Sequence, residues 1–191
     1  MPRWYIAVVQ VSRQCRRFVD QHVFETTPAL ELLDLGTAID MTWQEFAQQD
    51  PELAALGQER LDRNGLVMLA TMRKNGWPRI SPVEPLFFNG QVYLGMMWRS
   101  RKALDLLRDS RCTIHNTVSD RLATEGEFKV YGRTLNITDL IEREKFAEAL
   151  FQKINWRPEE PEYHSFAIDV ESVAANTFVG EELQHQVWKA G

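Results

Sequence analysis

The chain is poor in cysteine: Cys15 and Cys112 stand far apart, with no CxxC pair and no histidine at ligand spacing. A disulfide framework or a thiolate zinc site is therefore not expected, and a reducing, cytoplasmic setting is the default reading. It also lacks a basic excess. Lysine and arginine number 22 against 27 aspartates and glutamates, a formal charge of -5. Nucleic-acid surfaces show as basic patches or a high pI, so no such partner is expected. Long apolar runs are missing too. Stretches such as Ile6 to Val9 are far too short to cross a bilayer, and no apolar segment follows the first arginines as a secretory signal would require. Finally, no Ser/His/Asp or Cys/His constellation is present to build a nucleophile, and no metal site or catalytic side chain is expected. What remains is the composition of one globular domain with enough apolar residues to close a sizeable core.

Within that composition one stretch stands out. Met96-Met97-Trp98 ends an apolar run, Arg99 follows, and Ser100-Arg101-Lys102 opens a helix with two cations in its first turn. A helix N-terminus already carries partial positive charge, so cations there oppose the macrodipole unless an anion is bound. Its free N–H groups point at the same place, which makes a phosphate the natural guest.

The chain divides near Met41. Thr42-Trp43-Gln44-Glu45 is a capping box and Asp50-Pro51 an N-cap with proline at N1, and Leu53, Leu56 and Leu61 fall at helical spacing. One or two helices ending at Asn64-Gly65 follow. Leu66 to Met72, Arg79 to Phe88 and Gln91 to Trp98 read as three strands, joined by hairpin turns at Asn75-Gly76 and Asn89-Gly90. Ser100 to Arg108 is predicted as a short helix with Leu104 and Leu107 inward, and Arg111 to Thr117 as the next strand. Asp120 to Thr124 reads as a loop, Glu127 to Ile137 as a long strand, and Asp139 to Ile154 as a helix burying Leu140, Phe146, Leu150 and Ile154. A link over Arg157 to Glu162 leads to a last strand, His164 to Val170. The sum is α+β: six antiparallel strands with helices inserted between hairpins, which suggests a small closed barrel. Residues 1–40 read differently, with a plausible helix from Pro28 to Leu35 and no motif. They are either an extension packed on the barrel or a partner, or a stretch upstream of a start at Met41. Residues 181–191 read as a tail to a domain over 41–180.

The run Gly76-Trp77-Pro78-Arg79-Ile80-Ser81-Pro82-Val83, then Val92 to Met96, Ser100-Arg101-Lys102 and Glu127 to Gly132, resembles the flavin-binding split-barrel family related to pyridoxamine 5'-phosphate oxidase. The resemblance covers about Thr42 to Phe178. It implies a six-stranded split barrel that forms a homodimer, with flavin mononucleotide (FMN) held in clefts built by both subunits. By position, Arg101 and Lys102 match the phosphate-binding pair, beside Ser100, and Arg79 matches a basic residue opening the preceding strand. Arg79, Ile80, Ser81, Pro82 and Val83 would line the ring and ribityl chain, largely through backbone groups. Gly95 and Met96 match another cofactor-contacting pair, and Glu127 and Lys129 sit where relatives place polar contacts.

Two departures bear on function. Gln and Arg are expected in the oxidases where Glu127 and Lys129 stand. An ionised carboxylate only accepts hydrogen bonds, and lysine loses the planar fork of arginine. The oxidases proper also end in a segment with Trp, Arg and His that closes over their product, and Ser172 to Gly191 does not match it. The resemblance therefore implies FMN-dependent hydride transfer with a small organic substrate other than pyridoxamine phosphate. A deazaflavin cofactor on the same fold, or a flavin- or haem-binding protein without turnover, are the alternatives. On the residues alone, Met96, Met97 and Trp98 read as core or dimer contacts, Trp77 as turn packing, His115 as a satisfied strand histidine, and His164 has no paired carboxylate nearby in sequence.

Overall fold

Residues 39–180 and 182–191 are described in the computed structural model; the expectations for residues 1–38, including the Pro28 to Leu35 helix, lie outside them. The capping box at Thr42 forms as predicted, the hydroxyl accepting from Glu45 N at 3.1 Å while Thr42 N donates to the Glu45 carboxylate at 2.7 Å. It starts α1 (Trp43–Gln49), and Asp50, accepting from Leu53 N, starts α2 (Pro51–Asp62). Strands β1 (Val67–Met72), β2 (Pro78–Val83), β3 (Pro85–Phe88) and β4 (Gln91–Met97) follow. Positive φ at Asn89 and Gly90 makes the β3–β4 turn. Helix α3 (Arg101–Arg108), β5 (Arg111–Asn116), β6 (Glu127–Asn136), α4 (Leu140–Ile154), β7 (Tyr163–Val179) and β8 (Glu182–Lys189) complete the order.

All pairings are antiparallel, in the order β2-β1-β5-β6-β7-β4-β3 with β8 on β7. The two ends of that path, β2 and β3, are parts of one predicted strand broken at Glu84. The open sheet therefore curls until its ends meet at one residue, which gives the split barrel. The six expected runs are all present; the break at Glu84 and the added β8 bring the strands among the described residues to eight.

Burial follows the alternation of each strand. Leu69, Leu94, Ile114, Phe128, Phe166 and Val173 fill the interior with Phe46 and Leu61 of the first two helices. A smaller cluster, Leu86, Tyr93, Phe146, Leu150, Tyr163 and Ala167, lies under α4. At the Tyr131/Gly132 bulge a Cβ on Gly132 would stand 1.9 Å from the Asp169 carbonyl oxygen, so only glycine lets β6 and β7 close there.

Several expectations need correction. The inward residues of α3 are Ala103, Asp105 and Leu106, and Leu107 is 48% exposed, because a carboxylate with its own partners occupies the buried face. Leu140, at the first position of α4, is 73% exposed. Trp77, expected to pack its turn, is instead 70% exposed. The last strand runs on to Val179, since Val173 and Ala175 continue the inward alternation. Part of the predicted tail forms β8, held by Trp188 packed 4.7 Å from the Phe46 ring.

Candidate functional site

The predicted site residues fall into two groups on the sheet. The first gathers at the junction of β2 and α3. Arg99 takes a left-handed φ of 52° and turns the chain out of β4 into Ser100, the N-cap of α3. Among the described residues no side chain caps this helix, its first turn has no acid, and the buried Ser100 Oγ finds no partner. The first-turn N–H groups thus remain to be satisfied. Arg101 is exposed beside them, and Lys102 reaches across to donate from Nζ to the Pro82 carbonyl at 2.7 Å. Burial lowers the Lys102 ammonium from its ordinary pKa, with Glu84 opposing the shift. Burial likewise raises Glu84, against the pull of Lys153 and Lys102. The chain has placed an under-solvated cation, an uncapped helix end and an orphaned hydroxyl together, and an anion satisfies all three.

Arg79 reaches the same helix but is already engaged. Its Nε donates to Asp105 Oδ2 at 2.6 Å, where Thr71 Oγ1 also donates at 3.1 Å, and Arg108 reaches Oδ1 at 3.3 Å. Burial alone would raise the Asp105 carboxyl; the hydrogen bonds from Arg79, Thr71 and Arg108 together hold it below the usual range. Arg79 is thus anchored as a strut between β2 and α3. Ser81 shares its half-buried face, Val83 is buried, and Ile80 and Pro82 face outward.

The β4 pair behaves differently. Met96 points into the core, and the bare face of Gly95 is taken by Phe146, whose ring carbon would lie 3.0 Å from a Cβ there. Any contact from Gly95 to a ligand would come from its backbone.

The second group lies on the outer face of β6. Pro82, Met68, His115 and Lys129 stand in one lateral row through β2, β1, β5 and β6. Lys129 is therefore three strand spacings, about 14 Å, from β2. It is paired: Nζ donates to Glu127 Oε2 at 2.7 Å, and Asn176 Nδ2 donates to the same oxygen at 2.8 Å. These bonds, Lys129 first, hold the Glu127 carboxyl below its ordinary pKa. His115 is satisfied as expected, its Nδ1 bonded to the Asn116 carbonyl at 2.5 Å.

One residue passed over in the sequence belongs near the first group. His164 is buried, its Nε2 has no partner among the described residues, and its ring stacks 4.5 Å from that of Trp98, which is 50% exposed. Burial, then Arg143 and Arg99, keep it neutral at lower pH than a free histidine. Its burial comes from the β4–β7 pairing that sets it opposite Met96, which no local sequence signal gives.

The family model described as Pyridoxamine 5'-phosphate oxidase matches residues 54–176. No curated protein matches the chain. Among solved structures, a heme binding protein from Mycobacterium smegmatis is 15% identical with a TM-score of 0.54; the alignment covers 71% of this chain and only 57% of that one. General Stress Protein 26 from Bacillus anthracis is 15% identical at TM-score 0.54, over 75% of this chain and 99% of that one. A NimC/NimA family protein from Clostridium acetobutylicum is 15% identical at TM-score 0.53, over 70% and 96%. At such identities the likeness is one of fold.

Proposed function

The chain belongs to the pyridoxamine 5'-phosphate oxidase family, and we propose that it is an FMN-dependent oxidoreductase acting on a small organic substrate other than pyridoxamine phosphate, in the reducing cytoplasm. The observation that carries the reading is the β2–α3 junction: an uncapped helix end, Arg101, a desolvated Lys102 and the unpartnered Ser100 Oγ. Those residues fit the phosphate of FMN. Ser100 would donate from its hydroxyl, Lys102 would supply a point charge, and Arg101 would close the exposed side. Arg79, fixed by Asp105, would set the angle of β2, so that the backbone from Ile80 to Val83 lines the cofactor. When bound, the flavin supplies two-electron chemistry, and the protein supplies binding, orientation and electrostatics. That division accounts for a site without a side-chain nucleophile.

The spacing between the two groups supports a homodimer with the cofactor at the subunit interface. Lys129 and Glu127 lie about 14 Å across the sheet from β2, so they serve a cofactor more readily when it is shared between two sheets. The outer face also exposes apolar side chains, among them Ile80 at 66% and Val187 at 51%, as a face awaiting cover does. Glu127 is committed to Lys129 and Asn176, so this face would meet the ring through groups other than the expected glutamine.

The test is the visible absorption spectrum of the purified chain, with any chromophore released by heat and identified by mass. A two-band flavin spectrum releasing FMN is the expected result. A colourless protein that takes up no added FMN would overturn the reading and turn the search to deazaflavin and haem on the same sample.

A further inference from the structure

We propose that His185 is a general acid–base of this protein, held in one tautomer by Asn176 and Glu127 and open to a substrate on the outer face of the sheet. This rests on the flavin reading above. The three residues stand in one lateral row, Glu127 on β6, Asn176 on β7 and His185 on β8. The hydrogen bonds along the row leave no free choice. Glu127 is ionised and can only accept, so Asn176 must turn its amide nitrogen to it, at 2.8 Å. The amide oxygen then faces His185 Nδ1 at 2.6 Å. An amide oxygen also only accepts, so Nδ1 must carry the proton. In neutral His185 the lone pair therefore resides on Nε2. A flipped Asn176 would set its oxygen against the Glu127 carboxylate and lose that bond.

This is the arrangement a proton carrier needs: a base oriented by a second group that is itself fixed by a carboxylate. Lys129 completes the row's balance by pairing Glu127 from the other side at 2.7 Å. The other histidine of this face, His115 on β5, directs its Nε2 toward Glu127 Oε1 at 4.0 Å. His185 differs in being exposed on the outermost strand, where water can return its proton. The charged and titratable groups facing the row are thus Glu127 and Lys129 from β6, His115 from β5, and Arg60 from α2, which donates to the Glu127 and Asn176 carbonyls at 3.0 and 3.1 Å.

The step balances for a two-electron acceptor of carbonyl or quinone type. When bound, the flavin would supply the hydride that forms the new bond, and the acceptor would be left as an oxyanion beside His185. The imidazolium Nε2–H bond then breaks as the O–H bond forms, and the neutral imidazole takes a proton from water. An imidazole can both give and take a proton at Nε2, which suits both directions.

Two readouts test this on the full chain loaded with FMN. Long-range proton–nitrogen spectra should show His185 protonated at Nδ1 in the wild type and as a tautomer mixture in Asn176→Leu. Photoreduced protein mixed with menadione should reoxidise at a rate that varies with pH. His185→Gln should be about 100-fold slower with a flat profile. An Nε2–H tautomer in the wild type, or an unchanged rate and profile in His185→Gln, overturns the role. A chain that takes up no FMN overturns the cofactor reading and this role together, whereas a loaded chain with an unaltered profile overturns this role alone.

Discussion

Arg101 and Lys102 are the side chains through which the anion site is most directly tested. Neither contributes to the interior, and Lys102 spends its one hydrogen bond on the Pro82 carbonyl. Arg101→Ala combined with Lys102→Ala should abolish FMN retention while leaving the far-ultraviolet circular dichroism unchanged; a double variant that co-purifies with full flavin would sink the assignment. Asp105 makes a different prediction. Its pKa is lowered on folding, so its contribution is complete above the pH where it titrates unfolded, near 4, and is lost as the pH falls through the lowered value. Asp105→Asn should cost about 2–3 kcal/mol at pH 7, less than for a fully buried pair because Arg79 is partly exposed. It should also lose less stability than the wild type between pH 7 and pH 3, which thermal melts across that range would show. At this scale the cations of the site were legible, because a helix start is visible in sequence and charge can be counted along it. Their partners were not: that Asp105 would hold Arg79, or Asn176 would hold Glu127, depends on strands and helices distant in the chain.

Elements whose signal is local were read correctly for the same reason. The capping box, the two Asn-Gly turns and the long α4 helix each carry their instruction within a few residues, and each forms where expected. The C-terminal strands did not announce themselves. Val173 and Ala175 are small, and β8 is half polar, so only the pairing of β7 with β6 and the anchoring of Trp188 on Phe46 make strands of them. The break at Glu84 escaped because apolar residues continue on both sides of it. The β6–β7 joint yields the element-scale prediction. Gly132→Ala forces its Cβ onto the Asp169 backbone, which has no flexible side chain to give way, and should cost about 1–3 kcal/mol. A lowered urea midpoint with unchanged slope is the expected measurement; an unaltered midpoint would mean that the bulge relaxes freely.

For the whole molecule, the desolvated Lys102 and the uncapped α3 are charges and dipoles that folding leaves partly unsatisfied. A ligand that satisfies them binds the native state alone, so FMN should raise the melting temperature with concentration. At 100-fold excess over the dissociation constant the gain is about 2.7 kcal/mol, or roughly 5–10 °C for a chain of this size. A melting curve indifferent to FMN would contradict the site. The strands that end the sheet have one more consequence. β2 carries Pro78 and Pro82, and β3 begins with Pro85, so these two rims, unlike the β8 edge, are missing N–H donors. A stray strand seeking to extend the sheet sideways finds broken templates there, a defence against amyloid-like stacking written into the same segment that lines the cofactor groove.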